Sequence, residues 1–151
     1  MNKKEKEEEM MNYLDKTQKD FITEIKQKIR QSQYEAMKAV NVQLISLYWE
    51  IGKSIAEKQS VSWGKSIVPA LSRELHSEFL GTTGFSATNL WAMAQFYAKY
   101  HSVENLQPLV GEISWAKHIV IMNKCRDNLE REFYIRSTRK FGEKLKLLGE
   151  M

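Results

Sequence analysis

Seven basic side chains crowd the stretch from Lys117 to Lys140: Lys117, Lys124, Arg126, Arg131, Arg136, Arg139 and Lys140. Cations at this density suit a polyanionic partner, because each phosphate they neutralise releases condensed counterions. Asp127, Glu130 and Glu132 lie among them and support the opposing reading, a solvated helix laced with salt bridges. Upstream, "GTTGFSATNLWAMAQFYAKY" (Gly81 to Tyr100) opens like the turn and second helix of a DNA-reading helix-turn-helix. On a helix capped by Ser86, the residues Thr88, Trp91, Ala92, Gln95 and Lys99 share the outward face. Thr88 and Gln95 can read base edges, and Trp91 can stack or wedge. The rival reading is a core helix with a good cap and a partly buried Trp, since Lys99 alone on this face supplies a phosphate contact.

No catalytic, metal or cofactor set stands out. His76, His101 and His118 are scattered, without carboxylates or cysteines at ligand or triad spacing. Glu24 and Lys26 form the one E-x-K pair, and they fall in a helical pattern rather than on a strand. Cys125 is the single cysteine, so it cannot close an internal disulfide, which suits a reducing cytosol. The formal charge of +4 permits a polyanionic partner without requiring one. Residues 115–142 hold seven basic against three acidic side chains, and residues 61–100 three against two. The positive field therefore belongs to the C-terminal third.

Helices must position these residues. The lead-in through Asn12 is charged, with little to bury, and reads as disordered. From Thr17, apolar residues recur at Phe21, Ile25, Ile29, Ala36, Val40, Leu44, Leu47, Ile51 and Ile55. That spacing predicts one very long helix to Lys58 or two helices hinged near Gln31 to Gln33, and a helix of such length suits a homodimer. Trp49 and Glu50 beside Gly52 point to close helix packing. Ser62 can cap a helix bearing Ile67, Leu71, Leu75 and Phe79, although Pro69 requires a kink or a start near Ser66. Ser86 then caps the next helix with Phe85 and Leu90 at staple positions, Asn89 as an imperfect capping-box residue, and Leu90, Met93 and Tyr97 buried. One helical turn fits between His101 and Gly111. Ser114 can cap a helix through Trp115, Ile119 and Met122, with a strand at "HIVIM" as the alternative. A last helix, "LEREFYIRSTRKF", would turn Leu129 and Phe133 inward and Arg131 and Arg139 away. The expected fold is all-α: a long N-terminal helix or helix pair packed on a helix-turn-helix-like segment and two further short helices. No apolar run approaches the roughly 20 residues of a membrane span, and no export signal is visible.

The blocks "LYWEIGKSI", "WG", "LSREL", "GFSATNLWAMAQFY", "ISWAKHIVIMNKC" and "EREFYIRSTRKFG" follow one another in the order found in the N-terminal domain of the YhcG family, which the chain resembles over about residues 20–142. The resemblance implies a bacterial, cytoplasmic, all-helical module at residues 13–142, followed by a short divergent tail at 143–151. In relatives it precedes a nuclease domain of the PD-(D/E)xK superfamily and is held to associate with DNA. It also implies an Arg where Ala94 stands, basic residues near Ala87 and Thr88, and a His where Lys117 precedes His118. The expected function is thus non-enzymatic, without a cofactor. Thr88, Trp91, Gln95 and Lys99 would face DNA, with Lys117, Arg131, Arg136, Arg139 and Lys140 on phosphates and a nuclease domain or subunit encoded nearby. The alternatives are a protein-interaction or dimerisation module and a remnant of a truncated nuclease gene.

Overall fold

Reciprocal caps start the first two helices of the computed structural model, which describes residues 2–59 and 66–147. The Glu5 amide donates to Asn2 Oδ1 at 2.8 Å, and the Asn2 amide to Glu5 Oε2 at 3.0 Å. Asp15 and Gln18 repeat the exchange at 3.0 and 2.8 Å. Each pair satisfies amides that a helix N-terminus leaves open. The helices are α1 (Lys3–Asn12), α2 (Lys16–Gln59), α3 (Ile67–Glu78), α4 (Ala87–Tyr100), α5 (Gln107–Val110), α6 (Trp115–Lys124) and α7 (Asn128–Leu147). The architecture is all-α, with no strand among the described residues. The charged lead-in, read from the sequence as disordered, is therefore a capped helix, and its side chains from Asn2 to Met10 are exposed. Ser62, Trp63 and Gly64, expected at the start of the third helix, lie outside the described residues, as does the tail beyond Leu147.

α2 is one continuous helix of 44 residues, about 66 Å at 1.5 Å per residue. No hinge forms at Gln31 to Gln33. Its core face is Ile45, Tyr48, Gly52 and Ile55. Of the nine apolar positions that revealed the helix in the sequence, Ile55 alone is buried and Ile51 is half-buried. Gly52 allows α2 and α4 to approach closely, since a Cβ there would overlap the Met93 carbonyl of α4.

Two apolar clusters hold the helices together. One joins Tyr48 and Ile55 of α2, Val68 of α3 and Leu90, Met93 and Ala94 of α4. The other joins Ile45, the α4 residues Phe96 and Tyr100, the stretch Leu106 to Ile113, Ile121, Met122 and Cys125 around α6, and Ile135 of α7. Trp115 packs against both. Its ring meets Tyr48 and Phe96 edge-on at centroid distances of 5.0 and 5.3 Å. The "HIVIM" stretch is helical, because Ser114 accepts from the Lys117 amide and starts α6. Pro69 sits in the first turn of α3, where its missing amide costs no helical bond.

The orientation of α7 is the reverse of the sequence reading. Leu129 and Phe133 are 79% and 63% exposed, whereas Arg131 and Ile135 are 7% and 0% exposed. The inward set is Asn128, Arg131, Ile135, Thr138 and Gly142, spaced by alternating threes and fours. The Leu129 and Phe133 stripe continues onto Arg136 and Lys140, and Tyr134 and Phe141 are also exposed on this helix. No helix among the described residues is long and apolar enough to cross a membrane.

Candidate nucleic-acid interface

Local chemistry and three bonds from distant residues fix the direction of α4. Gly84 holds φ +100° in the turn, close under the Tyr48 hydroxyl, where only glycine is comfortable. Ser86 is extended, and its hydroxyl accepts from the Asn89 amide at 3.2 Å. The Asn89 side chain does more than a capping-box residue. Its Nδ2 donates to the Gly84 carbonyl at 2.6 Å, and its Oδ1 accepts from Trp115 Nε1 at 2.7 Å. The preceding helix is tied to the same turn, as Ser72 Oγ donates to the Phe85 carbonyl at 2.7 Å. At the far end, Asn128 Nδ2 donates to the Lys99 carbonyl at 2.9 Å. α4 is thus anchored at both ends, with Leu90, Met93, Ala94, Phe96 and Tyr100 buried. Tyr97, expected in that stripe, is half-buried and stacks on His101.

The outward face carries Thr88 and Gln95, both exposed, with Trp91, Ala92 and Lys99 half-buried beside them. Ala94 is not on this face. It is 6% exposed, in the interface with α2, so the Ala at that position takes no charge away from the outward surface.

The basic residues do not form one field. Arg131 is buried, and its guanidinium donates to Asn128 Oδ1 at 2.8 Å and the Cys125 carbonyl at 3.2 Å. It clamps the corner between α6 and α7 and is not turned toward solvent. Arg136 pairs with Glu132 at 2.9 Å, and Glu132 also accepts from Asn105. Arg139 pairs with Glu112 at 2.8 Å. Lys117 and Arg139 line a shallow groove of about 560 Å³ that also includes Lys38 and Met37 of α2. Lys140 is exposed on the outside of α7. The bond from Asn128 to the Lys99 carbonyl brings the α6 to α7 connection to the end of α4, and Arg126 in that connection and Lys124 at the end of α6 are exposed.

Sequence reasoning missed three polar anchors. Asn41 Nδ2 donates to the carbonyls of Gly111 and Ile113 at 2.9 and 3.0 Å, docking α2 on the α5 to α6 connection. Asn89 was legible as a cap, but its reach to Trp115 was not. His118 is fully buried: Nε2 donates to the Val110 carbonyl at 2.7 Å, while Nδ1 is buried without a polar partner. Burial pulls its pKa down from 6.5 to about 4, against the opposing pull of the Val110 bond. His118 is therefore a neutral core residue packed 4.9 Å from the Phe96 ring. Glu24 pairs with Lys28 on the exposed side of α2, and no group of three or more His, Cys, Asp or Glu among the described residues could hold a metal ion.

The sequence model described as the DUF1016 N-terminal domain matches residues 24–149. Over 85 residues the chain is 32% identical to the Escherichia coli (strain K12) protein named "Putative nuclease YhcG". That alignment covers 53% of this chain and 22% of the relative, so the chain spans well under half of the relative's length. No solved structure matches.

Proposed function

From the premise that the chain belongs to the DUF1016 N-terminal domain family, we propose that it is a non-catalytic helical module of a YhcG-like nuclease system that associates with DNA. The observation that carries this reading is the outward face of α4. Thr88, Gln95 and Lys99, with Trp91 beside them packed partly against the core cluster of α2 to α4, lie on a helix whose angle is set by Ser86, Asn89 and Asn128. A polar face held at a fixed angle behind a turn is what base-edge reading in a major groove needs. Phosphate contacts come from Lys99, Lys124 and Arg126, with Lys117 and Lys140 as further exposed cations. Arg131 takes no part, and Arg136 and Arg139 contribute only by exchanging their carboxylate partners for phosphates.

Fluorescence anisotropy with a labelled duplex tests the proposal. About four phosphate contacts predict an affinity loss on the order of 100-fold between 50 and 200 mM salt. Reversing Lys99 and Arg126 to Glu lowers affinity for every duplex, while Gln95→Ala lowers discrimination between duplexes. Absence of binding at 50 mM salt, or affinity indifferent to both reversals, overturns it.

A further inference from the structure

α2 carries two apolar faces, and this fold covers one of them. At about 100° per residue, Ile45, Tyr48, Gly52 and Ile55 share an arc against the core, and a second arc lies about 120° away from it. The second arc holds Phe21, Ile25, Ile29, Val40, Leu44 and Leu47, which are 61, 39, 54, 69, 37 and 47% exposed. No side chain from Lys16 to Val40 is buried. A helix draws most of its stability from packing an apolar face, so a segment this long without any calls for a partner.

The positions of the exposed six identify that partner as another copy. Ile29 and Val40 are equidistant from the midpoint between Tyr34 and Glu35, as are Ile25 and Leu44. Phe21 and Leu47 are equidistant to within one residue. Antiparallel copies related by a two-fold axis at that midpoint therefore bring apolar residues opposite apolar residues along the whole stripe. A parallel pair would also match them, but it would lay residues 16–40, with six basic and three acidic side chains, on their own copy. The antiparallel pair lays residues 16–28, with four basic and two acidic side chains, on residues 41–53, which have one of each. The six side chains expose roughly 600 Å² per copy before any flanking residue is added, against about 800 Å² per partner in a standard interface.

We propose that the chain forms an antiparallel two-fold dimer along the outer stripe of α2. Phe21, Ile25 and Ile29 of one copy pack on the partner's Leu47, the partner's Leu44 and the partner's Val40. The interface is closed and self-complementary, so assembly stops at two copies. It is independent of the α4 face and of any nucleic acid.

Sedimentation equilibrium on the full chain, with cysteine cross-linking, tests this. The expected mass is twice 17.7 kDa. Ile25→Asp and Leu44→Asp each bury two charges per dimer and weaken the dissociation constant by at least about 100-fold. Cross-linking does not depend on those variants. Ile29→Cys mixed with Val40→Cys gives the mixed disulfide dimer, whereas either variant alone gives none. A monomer at every concentration overturns the proposal and leaves the stripe to a different chain. A dimer indifferent to both Asp substitutions overturns it by placing the interface elsewhere. Disulfides formed by each cysteine variant on its own overturn the antiparallel register.

Discussion

Trp115 donates its indole N–H to Asn89 Oδ1 at 2.7 Å, while Asn89 Nδ2 donates to the Gly84 carbonyl at 2.6 Å. One amide thereby joins the turn, α4 and α6. Asn89→Ala leaves a part-buried indole N–H and a carbonyl unsatisfied and should cost about 2–3 kcal/mol in urea unfolding. Asn89→Asp keeps the acceptor for Trp115 and loses the donor to Gly84, so its cost should be smaller. In a double-mutant cycle with Trp115→Phe, the coupling should be about 1 kcal/mol, and strict additivity would refute the link.

Gly52→Ala sets two effects against each other. Helix propensity alone favours Ala over Gly by about 1 kcal/mol in a helix interior. Here the added Cβ meets the Met93 backbone, which has no flexible end to move aside. The variant should be destabilised by about 2–4 kcal/mol, read as a lower melting temperature. A stabilised variant would show that α2 and α4 are not in contact at this point.

Arg131 and Arg136 look equivalent in the sequence and should behave differently. Arg131→Ala removes the donor to Asn128 and to the Cys125 carbonyl from a buried site, at an expected cost of about 2–3 kcal/mol. Arg136 is 51% exposed in its pair with Glu132, so Arg136→Ala should change stability by no more than about 0.5 kcal/mol. Chemical denaturation of the two variants side by side checks the contrast.

His118 makes stability depend on pH in a definite direction. Its folded pKa, about 4, lies below the ordinary 6.5, so the unfolded chain takes up the proton first. Stability is therefore lost as pH falls from about 6.5 toward about 4, by up to roughly 3 kcal/mol. Carboxylates add their own acid dependence, but equally in a variant. The urea midpoint of His118→Gln should fall less between pH 7.5 and 4.5 than that of the parent; equal slopes would contradict burial of the neutral ring.

Much of the fold was legible because helix starts are local. Ser86 and Ser114 cap α4 and α6 through an amide three residues on, a relation visible in any short window. Gly52 was also readable as a point of close packing. The charged lead-in was misread because composition predicts how little α1 can bury, whereas its helix rests on reciprocal bonds between Asn2 and Glu5. Of the candidate interface, the outward positions of Thr88 and Gln95 followed from the period of the helix. The basic cluster did not, since Arg131, Arg136 and Arg139 have different fates on a single helix.

By itself, then, the sequence determined the helical class, most helix starts, the capped α4 and the family to which the chain belongs. Those properties depend on neighbours within about four residues or on the order of motifs. Which face each helix buries was decided only in three dimensions. α2 offers apolar residues on two sides, and α7 offers Leu129 and Phe133 on one side and Ile135 on another. Periodicity reports that a stripe exists, but burial goes to the stripe whose partners share one packed volume. Ile135 meets that condition within the cluster of Phe96, Tyr100 and Met122, and Leu129 does not.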